Sequence, residues 1–408
     1  MPKQNVSRQF DVLLYGATGF VGRQTVAYFA GNAQVKASGL RWALAGRNQA
    51  KLEQVRQACP GAGDAGVVVA AAEDLAAIDV LAKSARVVLS TAGPFALHGS
   101  ALLAACVRHG THYVDITGET PWAAAMIAQH HAQAAKSGTR IIPFCGFDSV
   151  PSDLGAWLLT RAMLERHGVA CTDVVAAFSL RGGVNGGTLA SLLNIMGSDQ
   201  AKQVTEPYLL NPKPGRPANS ATDPDPVAPR YDAHFKAWLG PFFMSPINTR
   251  VVRRSAALLG YDPAFRYQEY LRLGSGLVSG VAATSLSISM GISKAALGFS
   301  AVRRLAAAFI PKPGEGPSEA SMNGGSFRCE LVGKSGKGDV LRGRVADQGD
   351  PGNRATTKMV CEAALCLAID TDKLPGGASY GGVLTPASGL GDVLLKRLRS
   401  AGMTLVVD

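Results

Sequence analysis

The sequence offers little that would hold a metal or a covalent framework. Its seven cysteines are Cys59, Cys106, Cys145, Cys171, Cys329, Cys361 and Cys366. No two have CxxC spacing, so neither a zinc site nor a set of disulfides is suggested. The histidines are scattered, and the one adjacent pair, His130-His131, lies in a helix-like stretch where neighbours do not share a face. HExxH, a Walker loop and a Gly-x-Ser-x-Gly elbow are all missing, which removes the usual signs of zinc proteases, P-loop nucleotidases and serine hydrolases. Aromatic residues make up only 7% and are not interleaved with basic ones, so nucleic acid is not an expected partner. An odd cysteine count, and a first strand so close to the start that no targeting segment fits ahead of it, lead to the expectation of a reducing cytoplasm.

What is present is a chain of 408 residues, 47% hydrophobic and 17% charged. That length and balance predict two globular domains with a sizeable core. The net charge of +11 includes short clusters at Arg250-Arg253-Arg254, Arg303-Arg304 and Lys396-Arg397-Arg399. Such an excess suits a phosphorylated cofactor, a lipid surface or an acidic carrier protein, or serves solubility alone.

The strongest local signal opens the chain. Phe10 to Tyr15 (FDVLLY) reads as a buried parallel strand, and Arg23 to Ala30 as a helix. Between them stand Gly16, Ala17, Thr18, Gly19, Phe20, Val21 and Gly22. Strand, glycine turn and helix together make a dinucleotide fingerprint. The glycines let the backbone turn tightly and approach a pyrophosphate, and the helix N-terminus supplies free N–H groups. The second strand, Leu40 to Ala45, ends in Gly46, Arg47 and Asn48. An acidic residue there would grip ribose hydroxyls, whereas Arg47 suits a 2′-phosphate, so NADP(H) is the expected cofactor. Asn48 also reads as the N-cap of the next helix.

Strands and helices continue to alternate to about residue 153, as in a parallel α/β sheet. Ligands of such sheets collect beyond the strand C-termini. Three segments fall there: Thr91-Ala92-Gly93-Pro94, expected along the cofactor; Asp115 to Glu119; and Cys145 to Asp153. The last two are expected to face substrate. Ser149, Asp148 and Cys145 are the candidate catalytic groups, with a backbone N–H near Gly146 as an equal contender. Ser152 or Asp153 reads equally well as a cap of the following helix.

The alternation fades beyond residue 155. Residues 174–188 read as a strand and glycine-rich turn, 190–198 as a helix, and 205–230, with seven prolines, as a long loop or lid. Residues 273–293 carry no charge. Their glycine, serine and alanine content argues against a membrane span and for a helix on a lipid surface, in the core or at a subunit contact. Residues 327–346 alternate as an antiparallel hairpin, part of a mixed sheet.

The motifs GATGFVG, ALAGR, TAGPF, YVDITGE and CGFDSVPSD, in that order, resemble the saccharopine dehydrogenase-like family. PKPGEGPSE (311–319), GDPGNRATTKM (349–359) and GGVLTPASGLGD (381–392) resemble its trans-acting enoyl reductase branch. Asn353 stands where relatives often carry tyrosine. The resemblance implies an α/β protein: an N-terminal Rossmann-type parallel sheet (1–155), a second α/β domain with a mixed sheet (156–370), and a C-terminal segment (371–408) returning to the first domain. It implies NADPH-dependent reduction of a C=C bond in an apolar or carrier-bound acyl substrate. Reduction of C=O or C=N bonds is one alternative, and a lipid-associated nucleotide-binding protein without turnover is another. A homodimer and peripheral lipid contact through 273–310, at the inner membrane face, complete the expectations.

Overall fold

The computed structural model describes residues 8–183, 203–212, 223–297, 299–309 and 314–408. Two seven-stranded sheets organise it. The first contains β1 (Phe10–Tyr15), β2 (Trp42–Gly46), β3 (Gly66–Val69), β4 (Ala85–Ser90), β5 (His112–Asp115), β6 (Arg140–Ile142) and β13 (Gly382–Val383). Their spatial order is β13-β6-β5-β4-β1-β2-β3, and every pairing is parallel. β1 lies between β2 and β4, with Leu14 opposite both Leu44 and Leu89. The chain order reverses at β1, so the crevice beyond β1 and β4 is the switch point where such folds bind ligands. Helices cover both faces, which is why β2 is buried at every position.

The second sheet is mixed. It contains β7 (Cys171–Arg181), β8 (Arg230–Asp232), β9 (Ala237–Pro241), β10 (Arg266–Gly274), β11 (Ser326–Ser335), β12 (Val340–Gln348) and β14 (Thr404–Val407). Their order is β14-β12-β11-β7-β10-β9-β8, and β7–β10 is its parallel pair. The expected hairpin is β11–β12. The part of the 174–188 reading from residue 184 on, and the helix read at 190–198, lie outside the described residues.

The helices Val150–His167, Thr356–Ile369 and Pro386–Ser400 join the sheets through one apolar core, from Val12, Leu14 and Leu89 to Val174, Phe178 and Val345. Glycines make this packing possible. A side chain on Gly155 would stand 2.9 Å from Leu331 Cδ2. Helix Thr356–Ile369 packs against β1, β4 and β5, so this late sequence supports the first sheet. The C-terminal chain contributes to both sheets: β13 extends the first beside β6, and β14 closes the second beside β12.

The structure decides two points that the sequence left open. Arg250, Arg253 and Arg254 are not a surface cluster. All three are buried on helix Ser245–Leu259, where they hold the chain's own loops. Arg250 reaches Val204 O, Glu206 O and the Asp225 carboxylate, and Arg253 binds Pro207 O and Asp223. Arg254 donates to Leu210 O and Val383 O. Nor does Asp153 cap its own helix. Its Oδ2 accepts from Ala387 N at 2.8 Å, capping the C-terminal helix, while Oδ1 accepts from Ser255 Oγ.

Candidate active site

The site begins where β1 ends. Gly16 takes φ 84°, in the left-handed region. A side chain there would meet Ala92 N and Thr91 Oγ1 at 2.9 Å, and one on Gly22 would stand 2.0 Å from Gly16 O. Both glycines are therefore demanded by close backbone approach, between the turn and its helix and between β1 and β4. Ala17 and Val21 are buried, while Thr18, Gly19 and Phe20 keep partial exposure. Helix Phe20–Gly31 starts after an extended Gly19, with no side-chain cap and no acid in its first turn. Its leading N–H groups and positive dipole end are open to an anion. This cradle fits a dinucleotide.

Across the switch point, Thr91 N–H donates to Tyr15 O at 2.9 Å, and Thr91 Oγ1 lies 3.3 Å from Tyr15 O and Gly16 O. Ala92 and Pro94 are half-buried and Gly93 is exposed, so Thr91 to Pro94 forms a ledge beside the glycine turn. Gly93–Pro94 is a cis peptide. Arg47 follows β2, is exposed, and has no hydrogen bond or ion pair among the described residues. It is near enough to act on Tyr15, whose hydroxyl is pushed up to about 12 by burial and by Glu73, with Arg47 pulling it back. Asn48 caps the next helix, its Oδ1 accepting from Lys51 N at 2.9 Å.

The other wall comprises the loops after β5 and β6. Asp115 is buried and clamps them together, accepting from Thr117 N at 3.0 Å and Phe144 N at 3.2 Å. Burial pushes its carboxyl up to about 7 despite those bonds. Glu119 is likewise buried and turns back to the ledge. Its two oxygens accept from Phe95 N at 2.7 Å and Ala96 N at 2.9 Å, fixing the short helix that follows Pro94. Both residues, expected to face substrate, thus position backbone.

The three catalytic candidates separate clearly. Cys145 is fully buried in the core, its Sγ 3.2 Å from Ile142 O, and burial holds the thiol well above its ordinary pKa. Ser149 is fully buried, with Oγ 3.4 Å from Asn248 Oδ1. Neither has a free path to a ligand. Asp148 keeps partial exposure and makes no hydrogen bond or ion pair among the described residues. Burial alone pushes its carboxyl up to about 7. A Cβ on Gly118 would stand 3.2 Å from Asp148 Oδ2 and 3.1 Å from Ile247 Cδ1, so glycine at 118 leaves that oxygen its space.

Two neighbours escaped the sequence reading. Residues 314–317 reach the glycine turn: Arg23 Nη2 donates to Gly314 O at 3.2 Å, and a Cβ on Gly316 would meet the Phe20 ring at 2.5 Å. The PKPGEGPSE motif marked this segment without indicating where it packs. Behind Ser149, Asn248 Nδ2 donates to Glu269 Oε1 at 2.8 Å, and Ser152 Oγ and Tyr267 OH donate to Oε2 at 2.8 and 2.9 Å. A glutamate on the same side of β10 as Tyr267 and Leu271 was the available signal, since side chains alternate along a strand.

A glycine-cradled dinucleotide turn at the switch point of a parallel sheet defines a Rossmann-type NAD(P)-dependent oxidoreductase. The profile of the saccharopine dehydrogenase NADP binding domain matches residues 12–142, and the cofactor is NADP(H). A protein from Mycobacterium tuberculosis that carries the name trans-acting enoyl reductase provisionally is 38% identical over 98% of this chain and 97% of its own. A trans-acting enoyl reductase of Mycobacterium leprae is 37% identical, with the same coverage. Apo saccharopine dehydrogenase (L-Glu forming) from Saccharomyces cerevisiae shares the fold, with TM-score 0.53 at 13% identity, covering 98% of this chain and 99% of that one. The chain belongs to the trans-acting enoyl reductase family.

Proposed function

We propose that this protein is an NADPH-dependent enoyl reductase acting on an apolar, carrier-bound α,β-unsaturated acyl group, with Asp148 as its proton donor. NADPH, when bound, supplies the hydride. Gly16 to Gly22 hold the pyrophosphate against the open helix N-terminus. Arg47 grips the 2′-phosphate, which its exposed and unengaged guanidinium can bind in a fork. Thr91 to Pro94 form the ledge along the cofactor.

The observation that carries the catalytic part is the isolated carboxyl of Asp148. With its carboxyl pushed up to about 7 by burial and no partner among the described residues, it is protonated in about half of the molecules at neutral pH, far more than an ordinary carboxyl, and that proton can be donated. A proton-bearing acid on the loop after β6, at the same C-terminal edge of the sheet as the glycine turn, is what the α-carbon needs once the β-carbon has been reduced. The buried arginines of 250–254 are engaged by the protein's own carboxylates and carbonyls, so they are not available to grip an amino-dicarboxylate. This favours a C=C bond over the C=N chemistry of an amino-acid substrate. We place the enzyme in the cytoplasm.

The test is NADPH consumption with an enoyl thioester, across pH, for wild type and Asp148→Asn. An acid that must be protonated loses activity as pH rises through about 7. Asp148→Asn should lower kcat by ~10²-fold or more and abolish that limb. An unchanged pH profile would remove Asp148 from the mechanism.

A further inference from the structure

The uncharged stretch starts within β10 and continues as helix Leu277–Ala296, which lies on β9 and β10. Only a narrow strip of it is seated. A Cβ on Gly280 would stand 2.9 Å from the Trp238 ring, and Ala283 is fully buried. Leu286 also packs inward, toward Gly240 of β9, but the other large aliphatic side chains point the other way: Leu277 is 89% exposed, Val278 83%, Val281 67%, Ile288 59% and Ile292 65%. At ~100° per residue these five fall within one ~100° stripe along the helix. Phe299 and Leu305, 68% and 63% exposed, continue the apolar surface into helix Ser300–Phe309. No helix among the described residues is long and apolar enough to cross a membrane.

We propose that this convex apolar stripe is a docking surface for an anionic lipid bilayer. Charge selects this occupant. From Tyr270 to Gly314 the sequence has no aspartate or glutamate, but it has Arg272, Lys294, Arg303, Arg304 and Lys312. The acids on nearby strands face basic residues: Asp173 has Lys334, Arg230 and Arg266 beside it, Asp232 pairs with Arg230, and Glu330 takes up Arg272, so the attraction to lipid falls to the later basic residues of the segment. Amphipathic surface helices bind bilayers through the same pairing of apolar area with basic residues. Tyr231, 51% exposed and packed edge-on against Trp238, adds the aromatic character of a membrane interface. A rigid protein partner would call for a groove or a few deep anchors, whereas a fluid bilayer accepts a convex row of aliphatic side chains.

The position also has a consequence for the active site. Phe309 ends the second helix, and Gly314 accepts from Arg23 beside the glycine turn. Five residues reach at most about 18 Å, so a docked helix pair holds the dinucleotide crevice close to the lipid headgroups. An acyl chain too apolar for water would meet the enzyme there. The docking claim itself does not rest on the reductase reading.

The experiment is flotation of the full chain with phosphatidylcholine vesicles, with and without phosphatidylglycerol, alongside NADPH binding. Wild type should float with the phosphatidylglycerol vesicles and lose this at high salt. Val281→Glu/Ile288→Glu should lower partitioning by about tenfold or more while leaving NADPH affinity unchanged. Leu277→Ser/Val278→Ser is the gentler pair should the first not fold, and should cut partitioning in the same direction. Wild type that stays down with anionic vesicles, or variants that float as well as wild type, would overturn the proposal. So would a wild-type dimer in light scattering that fails to float and that the glutamate pair makes monomeric. That result would make the stripe a contact between copies. Loss of enoyl reduction with flotation intact would instead count against the functional reading alone.

Discussion

Two helices of similar length attached to the mixed sheet meet opposite fates. Val150–His167 follows the first sheet, contacts β7, β11, β12 and β14, and is enclosed over most of its first three turns. Leu277–Ala296 lies on β9 and β10 and buries little beyond Gly280 and Ala283. The enclosed helix carries charges and a tryptophan, while the exposed one has no charge before Lys294. Hydrophobicity along the chain therefore misranks them. What separates them is their surroundings: the first is covered by the C-terminal helix, helix Ser245–Leu259 and the mixed sheet together, and the second touches one edge of that sheet.

The contrast breaks most sharply by truncation. Leu159 is fully buried and lies against Gly333 and Gly343. Leu159→Ala should cost about 2–5 kcal/mol of unfolding free energy in urea titrations. Leu277→Ala, at an 89% exposed position, should fall within about 0.5 kcal/mol of wild type. Equal losses would mean that the exposed stripe is covered in solution.

The next largest effects concern ligand binding. Gly22→Ala puts a methyl group 2.0 Å from Gly16 O. It should lower NADPH affinity by at least about tenfold in nicotinamide-fluorescence titrations, since the turn must open to admit it. Arg47→Ala should leave NADH binding unchanged and weaken NADPH by about tenfold, one charge-assisted fork being lost. A variant that weakens both equally would assign Arg47 to something other than the 2′-phosphate.

The smallest shift compares two carboxyls five residues apart. Asp148 and Asp153 are both pushed up to about 7 by burial, but Asp153 is held by Ser255, Thr385 and Ala387 N, and Asp148 by nothing comparable. A carboxyl whose folded pKa lies above its unfolded value stabilises least at high pH: stability falls as pH rises from about 4 to about 7, then levels. Asp148→Asn removes this loss at no cost in hydrogen bonds. Its Tm should exceed that of wild type by a few degrees at pH 8 and by less at pH 5. Asp153→Asn can keep an acceptor for Ala387 N only by turning its amide donor to Ser255 Oγ, which must then give its own proton to Thr385 Oγ1. That forced reorientation should leave its Tm at pH 8 below that of Asp148→Asn.

The sequence alone determined the glycine turn and the strand–helix alternation, because φ at Gly16 and the approach at Gly22 are local demands that only glycine meets. It also determined the β11–β12 hairpin, from its period of two. Arg47 was legible as a candidate by its place after β2, where the structure leaves it exposed; the 2′-phosphate role is what the Arg47→Ala titration tests. The loops after β5 and β6 were legible as the far wall, but the roles within them were not. Glu119 turns to Phe95 N, Asp115 to Phe144 N and Asp153 to Ala387 N, partners 24, 29 and 234 residues away. Whether a carboxyl is spent on such a backbone group or left bare, as at Asp148, depends on which segments the fold brings together. The same reason buried Arg250, Arg253 and Arg254 among loop carbonyls and left helix Leu277–Ala296, uncharged before Lys294, with its aliphatic side exposed. Composition states what a side chain prefers, and only the tertiary structure decided what was there to meet it.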